Sequence, residues 1–184
     1  MAIVQLFDAN QWFGTRLRGG QKLQPGALGS YASFSMMWGL FESVACDGAA
    51  NPAGFTRLSH RADSTEVARA TLARIDDLVA FWQERIGSQV DLIVPDEGPG
   101  SLAREQREIV DGVFNGSTTS LSDKALVLML CVHFIRKYLM RAAKSIDTLN
   151  DQLENMDIAS QSLAALIAVS ATPMYVKSPR RGAI

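Results

Sequence analysis

At 184 residues and 47% hydrophobic content, the chain is long enough for one sizeable core and cramped for two independent domains. A formal net charge of −1 and a pI of about 6.1 give the chain as a whole no electrostatic bias towards nucleic acid or membrane, so any such affinity has to come from a local patch. The longest apolar run, Ala125–Val132, is far shorter than the roughly 20 residues that span a bilayer, which argues against a membrane partner.

In chain order, residues 1–29 read as an N-terminal extension. Asp8 falls early, and the charged-then-apolar order of a signal peptide is missing, so a cytoplasmic protein is expected. Tyr31, Phe34, Trp38, Phe41 and Ala45 step by 3 and 4, which predicts a helix over about 30–46 with an aromatic seam facing the core. The next stretch, "CDGAANPAGFTRLSHRAD", is rich in turn formers and predicts a loop. Asp63 with Glu66 three residues on reads as a capping box opening a long helix to about Ile86, with the seam Ala68, Leu72, Ile75, Val79, Trp82 and Ile86. Val90–Val94 reads as a short extended piece in a connector, and Ser101 as the cap of a shorter helix ending at Phe114.

After the loop "NGSTTS", Ser122 opens a helix whose Ala125–Val132 run is apolar on every face, the pattern of a helix at the centre of a bundle. Its second half turns Phe134, Ile135, Tyr138 and Leu139 inward and Arg136, Lys137, Arg141 and Lys144 outward. From Ile146 the same alternation runs through Leu149, Leu153, Met156, Leu163 and Ile167, with either a bend or one continuous helix over 141–147. Residues 171–184 carry Lys177, Arg180 and Arg181 and no acid, and read as a basic flexible tail. The expected fold is all-α, a single-domain bundle of five or six helices over residues 30–170.

Cys46 and Cys131 lack CxxC spacing and neighbouring histidines, which argues against a zinc site or a disulfide framework and for buried thiols. No P-loop, GxGxxG or GxSxG pattern occurs, so no cofactor is expected. His60 lies between Arg57 and Arg61, an arrangement that suits a phosphate or simply a solvated basic loop; His133 suits the core or a helix surface. Asp76 and Asp77 are adjacent and point apart on a helix. The "GSTTS" loop ahead of Ser122 either offers groups to a phosphate or caps its helix. The best candidate nucleic-acid surface is the set Arg104, Arg107, Arg136, Lys137, Arg141 and Lys144. Positions 137, 141 and 144 share a face, and acids in 147–157 are the expected partners if that face is merely solvated.

One short segment raises a sharper question. "VDGVFNG", residues 110–116, closes one predicted helix ahead of the strongly apolar one. Together with the aromatic "FSMMWGLFES" helix and the long helix after it, this arrangement over about 30–145 resembles the HEPN family of small all-α proteins. Many members of that family are RNA-cutting toxins or parts of antiviral defence systems. The family signature, R-N-x-x-x-H often followed by Gly, places its Arg on Val110, its Asn on Asp111 and its His on Asn115, while Phe114 and Gly116 keep the surrounding character. Metal-free RNA cleavage needs a proton acceptor for the 2′-hydroxyl and a cation beside the phosphate. Val110 supplies neither, and Asn115 carries no proton at neutral pH.

The resemblance therefore implies a catalytically inactive HEPN-like binding or regulatory subunit, without catalytic residues, that pairs with a protein partner or a second copy and acts in bacterial antiviral defence. "VDGVFNG" also reads as a plain helix C-cap with Asn115-Gly116 at the left-handed position. Two further readings stay open: a structural subunit of a nucleoprotein assembly that contacts RNA or another nucleic acid, and a metal-independent ribonuclease with an atypical site.

Overall fold

The computed structural model describes residues 8–16, 18–46, 48, 50–63, 69–87, 89–94, 100–142 and 146–170. Among them there are eight helices and no strand, so the all-α class holds while the helix number exceeds the expected five or six. The helices are α1 (Ala9–Arg16), α2 (Ala27–Val44), α3 (Pro52–Asp63), α4 (Arg69–Ile86), α5 (Gly100–Phe114), α6 (Leu121–Ala142), α7 (Ile146–Asp151) and α8 (Leu153–Ser170). α1 falls within the stretch read as an extension; residues 171–184, read as a basic tail, lie outside the described residues.

α6 is the axis of the bundle. Every residue from Ala125 to Val132 is at most 1% exposed, as the all-round apolar run requires. α3, α4, α5 and α8 pack directly on it, and α2 packs on α8. Each Leu, Val or Met side chain enclosed in this way contributes about 1.5–3 kcal/mol. The aromatic stripe of α2 (Phe34, Trp38 and Phe41) and the α4 seam (Ile75, Val79, Trp82 and Ile86) are buried, together with Leu78. Leu72, expected in that seam, is exposed. It sits at one end of the bundle in a cleft with Asp76 and Lys124, where α6 begins and cover runs out.

The largest departure is α3, predicted as a loop. Asn51 is its N-cap, its Oδ1 accepting a hydrogen bond from Gly54 N at 2.8 Å, and Pro52 occupies the first helical position, where its missing N–H costs nothing. Phe55, Leu58, Ser59 and Ala62 then form a buried stripe against α6, with Phe55 edge-on to His133 at 5.6 Å. Asp63 ends this helix rather than opening the next. Its Oδ1 accepts from Ser122 N at 3.2 Å, so α3 caps α6 across the fold. Glu66 and Ala68 lie outside the described residues.

Smaller corrections follow the same logic. Val90–Leu92 is a 3₁₀ turn, not an extended piece; Ile93 and Val94 behind it are buried, and no strand stands beside it among the described residues. α5 starts at Gly100, which puts Ser101 inside its first turn rather than at the cap. Ser120, not Ser122, caps α6, accepting from Asp123 N at 3.3 Å. The C-terminal pattern is divided at Gln152 into α7 and α8.

Two polar ties join elements that the core alone would leave loose. Trp82 Nε1 donates to Ser162 Oγ at 3.1 Å, linking α4 to α8 inside the core. Tyr31 OH donates to Leu149 O at 2.9 Å, and Asn150 receives Gln24 N and donates to Lys22 O, which fastens the start of α2 to α7.

Trp38 packs against Phe34, Phe41 and His133, with the Arg136 guanidinium 4.6 Å above its ring. Trp38→Ala is expected to lower unfolding free energy by roughly 3–5 kcal/mol through the cavity it leaves, measured by denaturant titration. Burial pushes the Tyr31 hydroxyl up to about 12. The unfolded chain, whose tyrosines ionise near pH 10, therefore loses this proton first as pH rises. The Tyr31 contribution is complete below about pH 10 and disappears towards pH 12; Tyr31→Phe should flatten that alkaline loss in melts recorded across the range.

Candidate functional site

The segment "VDGVFNG" is built as a helix terminus. Gly116 adopts φ 76°, its N–H donates to Val113 O at 3.2 Å, and Ser117 N donates to Gly112 O at 2.9 Å. This is the paired hydrogen-bond arrangement that closes a helix through a left-handed residue. Asn115 adds a local brace, its Oδ1 accepting from Ser117 N at 2.9 Å, and Gln83 Nε2 on α4 donates to Phe114 O. Val110 is 0% exposed and belongs to the core, whereas Asp111 and Asn115 are exposed. The three motif positions therefore do not converge on one surface.

Asp111 and Asn115 do line an open cleft of about 790 Å³ between the ends of α4 and α5, with Gln83, Glu84, Val90 and Phe114. Among the described residues that line it, the charged side chains are the carboxylates of Glu84 and Asp111. Two negative charges oppose a phosphate there.

Three of the six residues of the predicted basic surface are paired with acids. Arg104 Nε lies 2.9 Å from Glu108 Oε1 one turn away, Arg107 Nε lies 2.9 Å from Asp91 Oδ1 beside the 3₁₀ turn, and Arg136 pairs with Glu42 at 3.8 Å while stacking on Trp38. Exposed pairs of this kind are worth about 0–1 kcal/mol each, yet they lower the positive potential that a nucleic acid would meet. The acids paired with these three arginines are Glu108, Asp91 and Glu42. Arg107 and Arg136 are engaged with different elements, the 3₁₀ turn and α2. Lys137 is half-buried on α6; the side chain of Arg141 and all of Lys144 lie outside the described residues.

The remaining candidates separate in a similar way. Arg57, His60 and Arg61 are exposed along α3 rather than on a loop. His133 is half-buried between Trp38 and Phe55. Cys131 is fully enclosed, and burial pushes its thiol up, away from the reactive thiolate. The "GSTTS" loop does cap α6: Thr118 Oγ1 donates to Asp123 Oδ2 at 2.7 Å, and with Asp63 two carboxylates already serve that helix start.

A surface that the sequence reading passed over stands out on α2. Opposite its aromatic seam the helix presents Gly29, Ala32, Ser33, Met36, Gly39 and Leu40, all exposed, with Met36 75% and Leu40 47% accessible. Glu42 is the only charged residue of the helix, and it turns towards Arg136. A Cβ added at Gly29 or Gly39 would meet nothing within 4 Å, and neither glycine has a positive φ. A mid-helix glycine costs about 1 kcal/mol relative to alanine, and nothing in the chain's own packing calls for it at position 39. The available signal was a surface helix with almost no charge and apolar residues on both sides.

Searches against protein-family models, curated proteins and solved structures found no match to this chain.

Two glycine substitutions are expected to move stability in opposite directions. Gly116→Ala should destabilise by roughly 1–2 kcal/mol because a Cβ is strained in the left-handed region, whereas Gly39→Ala should stabilise by about 0.5–1 kcal/mol. Denaturant midpoints of the two variants against the parent chain measure both.

Proposed function

We propose that this chain is a HEPN-like, non-catalytic binding or regulatory subunit that works by presenting the outer face of α2 to a protein partner. The observation that carries this reading is the exposed Met36 and Leu40 on a helix side devoid of charge. Apolar side chains grouped on a rigid helix gain free energy when a partner covers them, and no charge has to be desolvated in the process.

The non-catalytic part of the reading rests on the use made of the motif positions. Val110 is spent in the core and Asn115 in the turn after α5, and neither holds a proton acceptor or a phosphate-neutralising cation. The family resemblance adds antiviral defence as the setting of that regulation. The paired arginines of α5 and α6 favour this protein-binding role over a nucleoprotein scaffold.

Purified protein incubated with RNA in chelator is expected to leave it intact. Cleavage abolished by His60→Ala or His133→Ala would replace this reading with a metal-independent ribonuclease. In sedimentation velocity the chain is expected to run as an assembly, with itself or a co-purified protein. Met36→Lys with Leu40→Lys should dissolve that assembly without lowering the melting temperature. A chain that is monomeric at every concentration, with no co-purified partner, counts against the binding role.

A further inference from the structure

The outer face of α2 carries a pattern of sizes as well as an absence of charge. Gly29, Ser33, Met36 and Leu40 step by 4, 3 and 4 and so share one side of the helix, with Ala32, Gly39 and Ser43 flanking them, and all seven are exposed. The sizes are balanced about Met36. Leu40 stands four residues after it and Ala32 four before, Gly39 three after and Ser33 three before, Ser43 seven after and Gly29 seven before. No pair holds more than one large side chain.

Exposed apolar surface elsewhere does not match this face. Among the described residues the other exposed large apolar side chains are Trp12, Leu72, Leu92 and Tyr138, one each on α1, α4, the 3₁₀ turn and α6. A second copy meeting Met36 and Leu40 through any of those elements would bring at most one such side chain, whereas α2 against α2 covers apolar surface on both sides. Gly39 is where two backbones can approach. Nothing lies within 4 Å of a Cβ built there and its φ is not positive, so the glycine serves no need inside the chain, while its missing side chain admits a helix laid across it.

Resting on the assignment of the outer α2 face as the binding surface, we infer that its partner is a second copy of this chain, α2 lying antiparallel on α2 about a two-fold axis at Met36. In that register Leu40 of each copy covers the partner's Ala32, Gly39 faces the partner's Ser33, Ser43 faces the partner's Gly29, and the two Met36 side chains meet on the axis. Charge agrees with the antiparallel sense. Glu42, the only charged residue of α2, falls opposite Ser30, which keeps the two glutamates about 18 Å apart along the helix, whereas a parallel pairing would set glutamate beside glutamate. The contact is short. A helix face about 21 Å long and about 10 Å wide is well below the roughly 800 Å² per partner of a standard stable interface, so the dimer is weak and forms as concentration rises.

Cysteine substitution in the full chain tests it, read as covalent dimer under mild oxidation, with the parent chain and its Cys46 and Cys131 as the baseline. A disulfide needs Cα atoms within about 7 Å, so only positions that meet across the axis can join. Met36→Cys is expected to give roughly tenfold more covalent dimer than the parent, because pairing holds the two thiols at an effective concentration that free chains do not reach. Leu40→Cys alone should stay near the baseline, its two copies lying about 12 Å apart along the helix, yet should join when mixed with the Ala32→Cys chain. Ser35→Cys, exposed but off this face, controls for random collision. Leu40→Cys or Ser35→Cys joining to itself as readily as Met36→Cys, a Leu40→Cys and Ala32→Cys mixture that does not join, or no covalent dimer from Met36→Cys overturns the inference. If that last result comes from a chain bound to a co-purified protein that Met36→Lys with Leu40→Lys releases, the self-pairing falls and the binding role stands; if the chain is monomeric at every concentration with no such protein, both fall.

Discussion

A helix without a polar side has to be surrounded, and that constraint on α6 organises the rest of the chain. Ala125–Val132 leaves no direction in which water is acceptable, so neighbours must close in from all around. α3, α4, α5 and α8 do so, and each of them needs only one apolar stripe because the central helix supplies the other surface. The polar cost of enclosing such a helix falls on its ends. At the start of α6, Asp63 from α3, Ser120 and Asp123 satisfy or neutralise the open backbone donors. A central helix capped by a residue from a helix packed on its side is held in axial register as well as laterally.

The same economy governs the segment that drew the functional question. Residues 110–117 must stop α5, turn the chain and start the path to α6. Val110, Gly112, Asn115 and Gly116 each have a structural task in doing so. Burial of position 110 leaves a titratable or cationic side chain nowhere to meet a substrate at that place. What the molecule offers outward lies on another element, the uncharged strip of α2.

Periodicity was the readable part of this sequence. Phe34, Trp38 and Phe41, then Ile75, Val79, Trp82 and Ile86, occupy the core positions that their 3/4 spacing implied, and the all-apolar run found the centre. Composition misled over 52–63, because Gly54, Pro52 and Asn51 crowd the first turn of α3 and read as loop formers. All three are tolerated at a helix start, and Asn-Pro is itself a start signal once Phe55, Leu58 and Ala62 are taken as a stripe. Ion-pair partners were beyond reach for a different reason. Arg107 meets Asp91 and Arg136 meets Glu42, acids brought near only by tertiary packing, so a basic face counted along one helix overstates the charge that survives folding. The grouping of Arg57, His60 and Arg61 was visible in the sequence, but their place along a helix was not, because the segment was read as a loop.

The attachment of α2 to α8 and α7 carries a kinetic consequence. Tyr31 meets Leu149, and Gln24 meets Asn150, across 118 and 126 residues of chain. Contacts that distant close only after the intervening entropy has been spent, which places them late in folding and slows it relative to bundles of neighbouring helices. During synthesis α2 emerges ahead of its core partner α8, with Phe34, Trp38 and Phe41 on one side and Met36 and Leu40 on the other. For that interval α3, through Phe55 against Phe41, is the nearby cover for a helix apolar on both sides, and the face that meets α8 stays open.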